Sequence, residues 1–437
     1  MNRKMYLALQ NALFMLSAVI LFSCQSDYST APDKKITVSG TVRTFLQTNV
    51  PNFTVKIGDK SAITNSEGKF VITDVTTPYD IYFSDSSVSG STINRNGFIY
   101  KNLAIENPLL IYGSFSNPLI GNINAIFSNG IAANKKAATF FTNGSDINAH
   151  GMNLPSQDSI SEMSIFLHEN KPVKGRLIAL IYTVNSSQEI VSYDNFGFKD
   201  EIEISPIGDN NIIFTPSELT YNPPEAEISG SISGNLPPNA YLELTHFYLS
   251  FSGISPVTFL SRMALCFFEN SSFSVKVPAQ LPFNYYPVIG TQIVDGTNLL
   301  GNFNFLVPNY NQTGLQLNLF QQAVLLSPPD NSTNFNPKNT LQWSHPQNGK
   351  VFTLNIVNIS GNETTSYYIY TSDLNFTLDE ISKFNFQSPY GKTFSWYVNT
   401  IGGYNSINDY VNPGYNNLMR SSMKMITGRT FTTQVSH

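Results

Sequence analysis

Thr37-Val38-Ser39-Gly40-Thr41-Val42, then Phe53-Thr54-Val55-Lys56-Ile57, then Ala62-Ile63-Thr64-Asn65-Ser66-Glu67-Gly68-Lys69-Phe70-Val71-Ile72 decide the fold. The first two stretches alternate apolar and polar residues, the pattern of a strand with one buried face. In the third, a polar turn with Gly68 separates two such runs, which predicts a hairpin. The signal continues to the end of the chain. Asn96-Gly97, Asn129-Gly130, Asn143-Gly144 and Asn348-Gly349 are turn dipeptides suited to the positive-φ positions of tight hairpins. Helical periodicity is nearly absent. Leu374, Leu378 and Ile381 would make no more than a short helical turn. Strands without intervening helices predict packed antiparallel sheets rather than a parallel α/β sheet. The expected fold class is all-β, a tandem array of antiparallel β-sandwich modules.

The order Val-x-Gly-x-Val, Pro51, a Val-containing strand and Thr64-x-x-x-Gly68-x-Phe70 resembles the carboxypeptidase regulatory-like domain, a transthyretin-like β-sandwich. The resemblance covers Ile36 to Ser84. It departs at Asn52-Phe53, where the family has a Gly after the Pro. It implies a non-catalytic module. A second resemblance begins near Val324. Leu326-Ser327-Pro328-Pro329, Thr340-Leu341-Gln342-Trp343, Phe352–Ile356, Gly391–Val398 and Arg429–Thr433 are similar to a fibronectin type III domain of bacterial surface lipoproteins, an immunoglobulin-like sandwich. It implies that Trp343 and Trp396 face one core. Gly402–Met423 is longer and richer in Asn than that family needs.

Between these ends, Leu110–Ser116 echoes Glu227–Ser233, each shortly after a Pro. The echo predicts two related modules joined at Pro223-Pro224. Asn134–Asp158 has low hydrophobicity and reads as a long loop. The expected organisation is a signal peptide at 1–23, a polar tether at 24–35, and modules at 36–106, 107–222, 223–322 and 323–437.

The N-terminus sets the expected location. Arg3 and Lys4 precede an apolar run from Met5 to Phe22, which ends at Ser23-Cys24 and polar sequence. This is the layout of a secretory signal peptide. Leu21-Phe22-Ser23-Cys24 resembles the lipobox of bacterial lipoproteins, which implies that Cys24 is lipidated and becomes the mature N-terminus. A plain signal peptide or a transmembrane anchor are the competing readings. A span needs ~20 apolar residues, and Gln10, Asn11 and Cys24 argue against one. The lipoprotein reading places the chain in the bacterial cell envelope, held to the outer membrane by lipid. Each buried methylene would contribute ~0.8 kcal/mol, and stable anchoring takes more than one chain.

Charged residues make up 13% and aromatics 13% of the 437 residues, against a usual ~25% charged. The aromatics supply core material and argue against disorder. A net charge of −5 with no basic block argues against nucleic acid as a partner. With Cys24 acylated, Cys266 has no disulfide partner and reads as a buried thiol. No zinc-peptidase spacing surrounds His150, His168, His246, His345 or His437, and Ile232 stands where a nucleophile elbow needs Ser. Asp200, Glu201 and Glu203 could flank a glycosidic bond or hold calcium, but read better as a solvated strand face. No catalytic residue, metal or cofactor is expected. The aromatics could carry binding: Tyr367, Tyr368, Tyr370, Tyr390 and Tyr397 crowd the last module. Tyr404, Tyr410 and Tyr415, in the Asn-rich loop, are the candidate ligand-binding residues, for a protein or glycan ligand. The expected function is a structural, adhesive or interaction scaffold. The alternative is a carbohydrate-binding accessory lipoprotein of a glycan uptake system, and an enzyme with unrecognised chemistry is a third reading.

Overall fold

The computed structural model describes residues 35–44, 49–112, 119–143, 148–153, 159–167, 171–186, 190–236, 239–251, 263–268, 272–282, 285–296, 298–307, 309–345, 351–384, 386, 388–413, 421–423 and 428–435. The chain is all-β, built of sandwich modules. The expected signal peptide and Cys24 lie outside the described residues.

The first module comprises β1 (Lys35–Thr44), β2 (Thr54–Ile57), β3 (Lys60–Ile63), β4 (Lys69–Thr76), β5 (Tyr79–Ser89), β6 (Thr92–Leu103) and β7 (Leu109–Tyr112). One sheet has the order β4-β1-β7; the facing strands run β3-β2-β5-β6. Along β1, Ile36, Val38 and Val42 point inward while Lys35, Thr37 and Ser39 point out. Gly40 is required where the Phe70 ring crosses the strand, since a Cβ there would lie 2.3 Å from that ring. The expected hairpin forms. Gly68 takes a φ of +71°, and the Asn65 Oδ1 accepts hydrogen bonds from the amides of Glu67 and Lys69 at 3.0 and 2.9 Å. Leu109–Tyr112 pairs in parallel with Thr41–Thr44, so this sheet reaches past residue 106 to Tyr112.

The second group of strands is β8 (Leu119–Phe127), β9 (Lys135–Thr142), β10 (Asn148–Asn153), β11 (Ile160–Leu167), β12 (Val173–Val184), β13 (Ile190–Ile204) and β14 (Asp209–Phe214). The third is β15 (Glu225–Ser233), β16 (Tyr241–Phe251), β17 (Met263–Phe268), β18 (Ser272–Pro278), β19 (Tyr285–Asp295), β20 (Asn298–Leu306) and β21 (Gln312–Asn318). The third group repeats the first strand for strand: β18-β15-β21 faces β17-β16-β19-β20. The second has the same neighbours, with its two halves joined through β10 and β11. In all three groups the first strand pairs in parallel with the last.

The sequence echo, however, does not align equivalent strands of these groups. Leu110–Tyr112 belongs to the last strand of one module and Glu227–Ser233 to the first strand of another. Two further expectations need correction. Asn134–Asp158 is not one long loop over its described residues. It contains β9 and β10, and β9 buries Ala137 through Phe141 between two layers, so its non-alternating pattern hid a central strand. Asn96-Gly97 is not a turn. It lies inside β6, where a Gly97 Cβ would meet the Phe384 ring at 2.8 Å.

The last group is β22 (Val324–Ser327), β23 (Ser332–Phe335), β24 (Thr340–Ser344), β25 (Val351–Ser360), β26 (Glu363–Thr371), β27 (Asn375–Thr377), β28 (Thr393–Gly402), β29 (Ser421–Met423) and β30 (Arg429–Thr433), with a short helix α1 at Ile407–Val411. The sheet β22-β24-β27 packs on β25, β26, β28 and β30. Trp343 and Trp396 share the intervening core with Phe352, Leu354 and Phe394, as expected, and both are almost fully buried. β23 again pairs in parallel with the closing strand, β30. The expected helical turn is a 3-10 segment, Leu378–Phe384, which buries Leu378 and Ile381.

Candidate functional site at the seam between the terminal modules

The first and last groups are not separate beads. β26 pairs in parallel with β6 over eight positions, from Glu363↔Ile93 to Tyr370↔Tyr100. This pairing makes β2, β3, β5 and β6 part of the 14-stranded sheet that also contains β25, β26 and β28. Both faces of the sheet are buried along the seam. Phe98 and Tyr100 enter the core of the first module, while Ile99 between them enters that of the last. On β26, Tyr367 and Ile369 enter the last core, while Tyr368 and Tyr370 pack against the first. Period-two geometry thus lets one strand serve two cores.

Stacked rings mark the junction. Phe98 lies on Tyr368 at 5.1 Å and Tyr100 on Tyr370 at 4.4 Å between centroids. The Tyr100 hydroxyl donates to the Ile111 carbonyl at 3.0 Å and accepts from the Ile111 amide. Tyr370 continues the column to Tyr410 at 5.7 Å, and Tyr410 meets Tyr404 edge-on at 5.2 Å.

Polar groups close the rim. Lys101 Nζ donates to both Glu380 oxygens at 2.9 and 2.8 Å and lies 3.7 Å from Asp80. Burial works against the Lys101 charge, but the Glu380 bond and the charges of Asp80, Glu380 and Asp373 outweigh it and raise its pKa above the ordinary lysine value. The Tyr82 hydroxyl donates to Asp80 at 3.0 Å and accepts from Lys383 at 2.6 Å. Its pKa is raised, first by burial and then by Asp80 and Glu380. Arg95 pairs with Glu363 at 3.3 Å, and Asn102 donates to Asp373 at 2.6 Å. The Ala104 amide donates to Asn408 on α1 at 2.7 Å. α1 itself starts at the Ser406 cap, whose hydroxyl accepts from the Asp409 amide. The arrangement provides adhesion of one part of the chain to another.

The candidate ligand-binding residues divide. Tyr404 and Tyr410 are 5% and 7% exposed and belong to the core shared with the first module. Their rings are packing surfaces, because the chain itself covers them. Tyr415 lies outside the described residues. The acidic group also separates. Asp200 is paired with Arg176, which lies over the Phe198 ring, and Glu201 and Glu203 are exposed on β13. Among the described residues, no group of three or more His, Cys, Asp or Glu is placed to hold a metal ion. His345 is buried and bonded to the Gln321 carbonyl at 2.7 Å, and burial lowers its pKa. The side chains of His150, His246 and Cys266, and all of His168 and His437, lie outside the described set.

A crevice of about 320 Å³ opens in the second module beside Phe127, Ile131, Ile181, Phe214 and Leu219. Its ammonium, Lys135, is already 3.4 Å from Asp194, and of its two side-chain amides, Asn129 and Asn195, the latter donates to the Leu219 carbonyl. The crevice therefore offers apolar contact without converging acid–base groups.

The seam's partners had no signal as pairs in the sequence, since Lys101 and Glu380 belong to opposite ends of the chain. A signal for double burial did exist. Ile81-Tyr82-Phe83, Phe98-Ile99-Tyr100 and Tyr367–Tyr370 are unbroken apolar and aromatic runs, which is how strands buried on both faces read.

No family model matches the sequence, and no curated protein does. Among solved structures, the chain is similar to a leucine-rich repeat protein from Bacteroides thetaiotaomicron (11% identity, 46% of this chain, 26% of that one, TM-score 0.17). It is similar to BcpA, the major pilin subunit of Bacillus cereus (11%, 65%, 99%, 0.14), and to a candidate adhesin from Bacteroides ovatus (8%, 50%, 99%, 0.16). The chain spans about a quarter of the first of these and half of the Bacillus anthracis TIE protein (8% identity, 65% of this chain, TM-score 0.15). None of these likenesses assigns a function to the chain.

Proposed function

We propose that the chain is an exported, lipid-anchored scaffold of the bacterial envelope, with Cys24 as its acylated first residue and its modules displayed for adhesion or interaction. The observation that carries the scaffold reading is the β6–β26 seam. There Tyr368 and Tyr370, two of the aromatics that could have carried binding, stack on Phe98 and Tyr100, and Lys101 pairs with Glu380, so that these groups fasten the two terminal modules together. On this reading the first module is carboxypeptidase regulatory-like and non-catalytic. The last is fibronectin type III-like, which its three-stranded sheet β22-β24-β27 against β25, β26, β28 and β30 supports.

The test has two parts. Intact mass of the membrane-extracted protein should give a chain that starts at Cys24 and carries acyl groups, and Cys24→Ser should release it or leave the precursor uncleaved. The chain from Gln25 onward should bind an immobilised protein or glycan surface without hydrolysing common polysaccharides or peptides, with or without zinc or calcium. Turnover lost on changing Asp200, Glu201, Glu203 or His246 to Ala would overturn the scaffold reading. A sharp glycan-array profile would move it to the glycan-uptake alternative.

A further inference from the structure

Tension applied between the two ends of this chain meets an unusual connection. It enters at β1 and leaves at β30. β1 packs through Val38 and Val42, beside Phe70 of its partner β4, on a core that holds Phe83, Phe98 and Tyr100. β6 then hands on to β26, β26 to β25, β25 to β28, and β28 to β30. That path crosses from the first module to the last without entering residues 119–318, the second and third modules. Those modules share a core of their own, in which Phe140, Ile178 and Tyr193 pack with Val275, Ile289 and Phe303. The third touches the last where Gly301 and Asn302 pair with Met423 and Ser422 of the three-residue β29 and where Phe320 lies against Gly402; both contacts join β28 at Thr400–Gly402, a side branch away from its pairing with β30 at Thr393–Trp396.

We infer that the seam is a tension latch, which closes the second and third modules into a loop that end-to-end load does not reach until β6 and β26 part. The inference rests on the tethered-scaffold reading for its use in the cell, but its geometry stands without the lipid. Three layers of contact resist opening. They are the eight paired positions of the parallel register, the Phe98–Tyr368 and Tyr100–Tyr370 stacks, and the Lys101–Glu380 and Arg95–Glu363 pairs. Asn362 also bridges the hairpin tips, its side-chain amide donating to the Ser91 carbonyl at 2.8 Å while its carbonyl accepts from the Ile93 amide at 2.9 Å. Once these give way, two folded modules join the load path and the tether lengthens before any of them unfolds. An adhesive stalk built in this way yields in two stages. Forced opening is governed by the barrier to that opening, so the seam sets when the reserve length is released.

Single-molecule pulling on the chain from Gln25 to His437, with handles at its ends, tests this. The first event should be one rupture that adds the folded length of the loop. Module-sized steps of roughly 30 nm, for about 90–100 residues at ~3.3–3.6 Å each, should follow. The paired variant Asn94→Cys/Thr364→Cys, in a Cys266→Ser background, joins two residues that face each other in the register. Oxidised, it should lose the first rupture and shorten the fully extended chain by roughly 90 nm at ~3.3–3.6 Å per residue; reduced, it should behave as the parent. Tyr370→Ala should lower the first rupture force and leave later steps unchanged. Failure of the cysteines to join, or parent traces that begin with module-sized steps, would overturn the latch. Neither result bears on acylation or turnover, which test the scaffold reading separately.

Discussion

Tyr100 and Tyr370 stack face to face at 4.4 Å and 8°, although one lies in the first module and the other in the last. Tyr100 is fully buried and its hydroxyl is tied to Ile111. It is therefore a fixed plate on which the last module rests. A stacked pair adds about 0.5–1.5 kcal/mol beyond the area that it buries. A double-mutant cycle on Tyr100→Leu and Tyr370→Leu should return a coupling energy in that range by denaturant unfolding of the full chain. Additive losses would mean that the rings touch without holding the seam.

Trp343 and Trp396 should each cost about 3–5 kcal/mol when changed to Ala, the usual loss for a large buried aromatic. Both indole N–H groups lack a hydrogen-bond partner in the core, so what the Ala variants lose is packing. The measurement belongs on the full chain, because Val351, Ile401 and Val411 of the last module lie in the core of the first, and a fragment cut at residue 323 would expose them. A loss under about 1 kcal/mol at both positions would contradict the buried placement.

The strands were legible in the sequence wherever one face is wet. Lys35–Thr44 and Lys69–Ile72 alternate in sequence and in burial alike. Legibility failed where both faces are covered. Lys135–Thr142 lost its alternation because β10 and β12 flank it within a sheet that is buried on both sides. At Asn96-Gly97 a local turn signal was overridden by tertiary packing, since the glycine admits the Phe384 ring. In the Tyr-rich loop the sequence shows aromatic residues but not what covers them. Tyr404 and Tyr410 contact this chain's own first module, and no local pattern can name a partner some 300 residues away, the separation of the Ala104–Asn408 bond.

Glu218 provides the pH test. The Lys199 ammonium at 2.5 Å, followed by the Thr215 amide, holds its carboxyl down at about 2. A depressed carboxylate contributes stability that is complete above its unfolded pKa, near 4.5, and is lost as pH falls from there toward 2. Thermal unfolding should therefore weaken across that window, and Glu218→Gln should flatten the response. Because Glu218 is about one-third exposed, salt should shrink the difference. Identical acid profiles for parent and variant would remove the Lys199–Glu218 pair from the account.

Gly97 separates a seam effect from a general loss of stability. Its missing side chain leaves the space that the Phe384 ring fills, 2.8 Å from where a Cβ would stand. Phe384 in turn packs beside Tyr82 and Tyr367. Gly97 is directly opposite Tyr367 in the parallel register, so a bulky residue there must push the 3-10 segment off β6 or spread the two strands. Gly97→Val should cost about 1–3 kcal/mol, the usual penalty for overpacking. Gly90 is the control. It sits at the tip of the β5–β6 hairpin with open space around it and a φ of +62°, so Gly90→Asn should leave the seam intact. If Phe384→Ala restores Gly97→Val toward the parent, the clash is the cause. If the two changes simply add, Gly97 is tuned for backbone freedom instead, and the ring contact does not determine why glycine stands there.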